Sequence, residues 1–148
     1  MRTIGYIFLS LFISVVIIIG DYYLPGSFLT RFLDNSFIET FAGLVGFNIA
    51  AVIFLLGQLI DLEKKMPETD TFQRTRREIK HNSYFLLFAF VASLILLIVR
   101  PDLGIDQSFG NNVIYYILNV FILAIFGLAI NAIFEILSAV FTLGKSQK

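Results

Sequence analysis

Glu135 lies in a stretch, residues 109–143, that is otherwise almost wholly apolar, with Asn131 one helical turn before it. On a helix advancing about 100° per residue, Gly127, Asn131, Glu135, Ser138 and Thr142 share one narrow face with Ala124. Every member of that face is small or polar. An ionisable side chain at membrane depth costs about 2.5–3.5 kcal/mol even on the most lenient scale, so the carboxyl needs a role. No Lys or Arg occurs within any apolar segment to pair with it. Three roles fit. Glu135 is a neutral carboxyl bonded to Asn131, Asn48, Gln58 or a serine as helix-to-helix glue, or it faces water and repeats around an oligomer axis as an acidic ring that favours cations, or it relays protons. Catalysis by acid and base has little support, because no second carboxylate or metal ligand accompanies it. Asn119 falls on a different face, where bonding to a neighbouring helix is the common use of an amide.

A second stripe repeats at steps of three and four: Glu39, Gly43, Gly46, Ala50, Phe54, Gly57 and Asp61. Lipid gives apolar side chains little reason to prefer each other, so small residues matter because they let backbones approach closely. Gly43, Gly46, Ala50 and Gly57 are thus expected at a helix-packing seam, with a pore lining as the alternative. A third group is charged. Residues 61–82 hold six basic side chains, among them Arg74, Arg76, Arg77 and Lys80, against five acids. Basic residues beside a membrane segment are expected from topology and anionic lipid alone, and the same four would also suit the phosphates of a nucleotide or oligonucleotide. His81 alone at the membrane edge reads as an interfacial residue, since metals require more ligands.

Composition sets the class. The 148 residues are 57% hydrophobic with a mean hydropathy of +0.84, which a multi-pass membrane protein requires and a soluble domain of this size does not. Formal net charge is zero, so only the distribution of charge informs. With no cysteine and one histidine, disulfides, iron–sulfur clusters, thiol nucleophiles and ordinary zinc sites are excluded. Neither a cofactor nor a metal is expected, and no enzymatic role.

These residues are carried by an all-α membrane domain of four helices, over about 3–23, 37–62, 83–99 and 113–143, with a basic loop at 63–82. The first apolar run starts like a secretory signal but is followed by no small-residue cleavage pattern, so it reads as a retained transmembrane helix. After a Pro25-Gly26 turn, Phe28, Leu29, Phe32 and Leu33 oppose Arg31, Asp34 and Asn35, a pattern for a short helix lying flat in the interface. Ser36 and Glu39 form an S-x-x-E capping box that would start the second transmembrane helix. Asp70 with Gln73 resembles another, and a helix begun there would project a basic stub from the third segment. That third segment, from Ser83 to Val99, reads as mostly lipid-facing.

Lysine and arginine counts orient the chain. Arg2, the six basic residues of the loop, Lys145 and Lys148 fall on one side, against Arg31 and Arg100 on the other, so both termini and the loop are expected in the cytoplasm. Tyr6 and Tyr84 would mark the inner face, and Tyr22, Tyr23, Tyr115 and Tyr116 the outer. At an offset of 81 residues GFNIAAVIFLLG (Gly46–Gly57) aligns with GLAINAIFEILS (Gly127–Ser138), and the first segment aligns with the third. That echo suggests two tandem helical hairpins.

Small size, four spans, a short basic connection and almost no soluble domain give the whole chain an architecture that resembles the small multi-pass membrane effectors of bacterial anti-phage defence systems. The resemblance implies a homo-oligomeric ion channel or membrane-perturbing effector of the bacterial inner membrane, gated by an anionic cytosolic signal such as a nucleotide or oligonucleotide. GFNIAAVIFLLG and INAIFEILSAVFT would then form the channel wall, and QRTRREIKH the signal contact. The chain departs from such effectors in having no recognisable sensor domain. The competing expectation is a non-conducting scaffold, an accessory subunit of a larger membrane complex, that uses its stripes only to pack against a membrane-protein partner.

Overall fold

A computed structural model describes residues 2–23, 28–65, 70–101 and 109–145, and these are almost entirely helical. In chain order they form α1 (Arg2–Tyr23), the one-turn α2 (Phe28–Arg31), a π-helical turn (Phe32–Ser36), α3 (Phe37–Lys65), α4 (Asp70–Val99) and α5 (Phe109–Lys145). Four stretches are long and apolar enough to cross a membrane: Ile4–Tyr23, Phe28–Asp61, Thr75–Val99 and Val113–Ser138. At 1.5 Å per residue α5 is about 55 Å long, well beyond the ~30 Å hydrocarbon core of a bilayer. The Pro25-Gly26 turn, Pro67 and the connection at 102–108 lie outside the described residues.

The α5 helix is the axis of the bundle, touching α1, α3 and α4. Its Phe126 ring lies 5.3 Å from the rings of both Phe37 and Phe41, and 6.2 Å from that of Phe32. Phe41 reaches on to Phe90 of α4, also at 5.3 Å. Leu86, Ala89, Ile122, Ala129 and Ile133 are buried with these rings. A second buried cluster, Leu55, Leu59, Ile79 and Ile136, closes α3, α4 and α5 together nearer the other end. The third apolar segment is mostly outward-facing, as expected, with a narrow interior seam. Its Leu86, Ala89 and Ser93 form an interior seam while Phe88, Val91, Ile95 and Ile98 stay outside.

The start of the second span differs from expectation. Ser36 does not begin a helix, because α2, the π turn and α3 follow one another without a break from Phe28 to Lys65. The Phe37 N–H donates to the Phe32 carbonyl, the i to i+5 bond that defines the turn. Its effect is on register. Leu29, Leu33, Phe37, Phe41 and Val45 are all buried at steps of four, and on a regular α-helix each such step drifts by about 40°. One wider turn absorbs part of the drift and keeps the five on one side. Leu29 and Leu33 thus enter the bundle rather than lying flat on a membrane surface. The N–H of Leu29 donates to Asp21 Oδ1 at 3.0 Å, so the last turn of α1 caps the start of α2.

Two further expectations are corrected. Residues 63–82 are not a loop: α3 continues to Lys65 and α4 begins at Asp70, so most of the basic segment is helical. Nor do the halves fold as equivalent hairpins. α4 packs on α5, but among the described residues α1 packs on α5 and α2 and makes no contact with α3. The physical reason is the segment from Phe28 to Ser36, which follows α1 and inserts Leu29 and Leu33 into the core.

The α1–α5 contact depends on one close approach. Ser10 Oγ donates to the Ala124 carbonyl at 2.7 Å, and a methyl group at Gly127 would meet that same oxygen at 2.5 Å but Ser10 Cβ only at 3.7 Å. Two substitutions should therefore couple. Gly127→Ala alone is expected to cost about 1–3 kcal/mol by overpacking, and Ser10→Ala alone about 0.6 kcal/mol for one hydrogen bond between membrane helices. The double variant should be more stable than Gly127→Ala. Reversible unfolding in mixed micelles checks this, and strictly additive losses would refute the contact.

Candidate functional site

The polar residues of the α5 stripe do not share one environment. Gly127 is a packing position, taken up by Ser10 of α1. Asn131 lies half-buried beside α1, lining an apolar cavity of about 460 Å³ between α1, the α2 segment and α5, together with Ile13, Phe28, Leu128 and Phe134. Glu135 and Ser138 are exposed, and the Thr142 side chain is outside those described.

Glu135 is held from two helices. Asn131 Nδ2 donates to Oε1 at 3.5 Å from one turn back on α5, and Asn82 Nδ2 donates to Oε2 at 3.3 Å from α4. Asn131 was among the expected partners. Asn82 was not: the helix expected from Asp70 carries it into the third segment, but only the packing of α4 on α5 sets it against Glu135. Beside this pair lies a cavity of about 500 Å³, lined by Thr75, Arg77, Glu78, Ile79, His81, Asn82, Glu135 and Ile136. Buried Ile79 and Ile136 tie its apolar wall to the core.

Arg76, Arg77 and Lys80 do not form one patch. Arg76 Nη2 donates to Glu63 Oε2 at 2.6 Å and so ties the end of α3 to the start of α4. Lys80 Nζ lies 5.7 Å from the ring centre of Tyr84. The Arg74 side chain is outside those described. Arg77 faces the cavity beside His81, and it makes no ion pair among the described residues. Helical periodicity separates Arg76 and Lys80 from Arg77 and His81, and the structure gives the two faces different neighbours.

The α3 stripe faces outward. Ala50 is exposed, and a Cβ added at Gly43, Gly46 or Gly57 would meet nothing within 4 Å. Within one chain these residues pack against no other helix.

At the opposite end a polar cluster ties three elements together. Arg100, at the end of α4, donates through Nη1 to Asn119 Oδ1 of α5 at 3.2 Å and through Nη2 to Asp34 Oδ1 in the π turn. Its guanidinium also stacks over Tyr115, 5.0 Å from the ring centre. The Tyr115 and Thr30 hydroxyls lie 3.3 Å apart. Tyr22, Tyr23, Tyr115 and Tyr116 gather here in edge-to-face contacts. Asn119 does bond a neighbouring helix, as its isolation in an apolar run implied. In the sequence Arg100 served only to orient the chain, although its depth opposite Asn119 was a usable signal.

Among the described residues no three or more His, Cys, Asp or Glu side chains gather in a way that could hold a metal. No family model matches the chain, no curated protein matches it, and no solved structure matches it.

The Arg100 cluster makes a separate prediction. A planar fork serves two acceptors at once, which an ammonium group cannot reproduce. Arg100→Lys and Arg100→Ala should each destabilise the fold by about 2 kcal/mol, the scale of hydrogen bonds to a charged group. Unfolding midpoints in detergent check this; full recovery by lysine would contradict the bridging geometry.

Proposed function

We propose that this chain is a non-enzymatic multi-pass membrane protein that assembles with copies of itself into a channel or membrane-perturbing effector. The supporting observation is where polar and small groups lie relative to the core. The interior is filled by Phe37, Phe41, Leu55, Leu59, Leu86 and Ile122, all nearly inaccessible, which argues against a conduit through a single protomer. Glu135 and Ser138 are exposed, and Gly43, Gly46, Ala50 and Gly57 form an uncovered face. Small faces in lipid are suited to close helix approach between copies, and repetition of Glu135 around an axis would supply an acidic ring that favours cations.

In this reading both termini and the 63–82 segment are cytoplasmic, in keeping with the excess of basic residues on that side. The bacterial inner membrane and a role in antiviral defence follow from the architectural resemblance alone. The basic segment is the regulatory surface, and Arg77 is an exposed cation in it that makes no ion pair among the described residues.

The test combines assembly with flux. In native-lipid nanodiscs the chain should form a defined homo-oligomer, and in liposomes it should conduct cations. Glu135→Gln should keep the oligomer and lower cation selectivity. Gly46→Leu and Gly57→Leu should leave the protomer folded, because space is open at both positions, but should weaken assembly. A strict monomer would overturn the channel reading, and loss of a co-purifying protein in the leucine variants would favour a scaffold.

A further inference from the structure

The cavity beside Glu135 combines opposite charges that do not neutralise each other. A carboxylate has about four acceptor positions, and the two amides from Asn82 and Asn131 occupy two of them. No basic side chain of the described chain bonds it. Arg77 presents a guanidinium to the same cavity and makes no ion pair among the described residues, and His81 adds a ring that can donate a hydrogen bond. A simple anion would gain from Arg77 and His81 but meet Glu135 unfavourably. A simple cation would meet the reverse. The ligand that fits both halves carries an anion and a hydrogen-bonding cation a short distance apart.

Position selects the form of that ligand. The lining residues of α4 run from Thr75 to Asn82, and the uninterrupted apolar run begins directly after, with Tyr84, Leu87, Phe88 and Val91 exposed. On α5 Phe134 is exposed beside Glu135. The site therefore stands at a polar–apolar boundary, where a lipid headgroup lies and where its acyl chains would have apolar helix surface to follow. We propose that the cavity between α4 and α5 holds the phosphoethanolamine headgroup of a phospholipid, with the phosphate on Arg77 and His81 and the ammonium on Glu135. This rests on the membrane-spanning part of the functional reading and not on conduction.

The test uses the full chain in nanodiscs of equimolar phosphatidylethanolamine, phosphatidylcholine and phosphatidylglycerol, followed by mild detergent extraction and mass spectrometry of the retained lipid. Phosphatidylethanolamine should be enriched about tenfold over phosphatidylcholine, whose trimethylated cation cannot donate a hydrogen bond to Glu135. Glu135→Gln should erase that preference while phospholipid is still retained. Arg77→Gln should lower retention of all three lipids about tenfold. Soluble glycerophosphoethanolamine and ADP, added separately in a thermal-shift measurement, distinguish the source of the phosphate: only the former should compete, and weakly. Equal retention of the three lipids, enrichment of phosphatidylglycerol, an unchanged preference in Glu135→Gln, or a larger stabilisation by ADP than by lipid would each overturn the proposal. Retention is read without ion flux, so a non-conducting protein that still selects phosphatidylethanolamine sinks only the channel reading. A conducting protein without that selection sinks only this one.

Discussion

Everything in this bundle is built against α5, and α5 is held by shape rather than by greasiness. In a bilayer an apolar side chain leaves lipid for protein with little gain, so helices stay together where backbones come close and side chains interlock. Two adjacent residues serve these ends. Phe126 turns its ring into those of Phe32, Phe37 and Phe41, while Gly127 leaves the gap into which Ser10 of α1 fits. One residue thus collects the segment from Phe28 to Lys65 and the next collects α1. The close approach at Gly127 also explains why Ser10 can spend its hydroxyl on the Ala124 carbonyl, a backbone group already paired inside its own helix. Hydroxyl and glycine form one device, and neither alone would bring α1 so near.

The π turn follows from the same need. Phe32 and Phe37 both reach Phe126, although five residues separate them and a regular helix would point them apart. Widening one turn brings both inward and places Asp34 where Arg100 can reach it. Turns of this kind are uncommon and tend to sit where a helix must satisfy two registers. Here the registers are the aromatic cluster and the Arg100 bridge, and the wider turn serves both.

The helical class and the four spans are legible because apolar runs of about 20 residues leave few alternatives. The start of α4 at Asp70 was legible from its cap. The joined α2–α3 rod was not: S-x-x-E at Ser36 is a real local start signal, but the helix preceding it is anchored through Leu29 and Leu33, and tertiary packing overrode the cap. Partner choice was least legible. Glu135 announces itself in an apolar run, and Asn131 follows from helical spacing, whereas Asn82 is recognised only once α4 is known to pack on α5 beside Glu135. The internal echo misled for a related reason. Gly46 and Gly127 occupy equivalent places in sequence, yet Gly127 has Ser10 against it and a Cβ at Gly46 would meet nothing within 4 Å, since the segment Phe28–Ser36 that follows α1 enters the core through Leu29 and Leu33.

The two polar ends of the bundle look alike in composition and differ in how completely they are satisfied. At the Arg100 end the guanidinium meets Asp34, Asn119 and the Tyr115 ring, so the cluster is explained by the stability it confers. At the Glu135 end the carboxylate is steadied by neutral amides, and Arg77 shares its cavity without pairing with it. A purely structural site would gain up to about 1 kcal/mol by letting these two exposed side chains meet. Keeping them apart across a cavity forgoes that gain. The arrangement makes sense for a ligand with charge of both signs, and it gives Glu135 a neighbour to answer before any question of an axis or an ion arises.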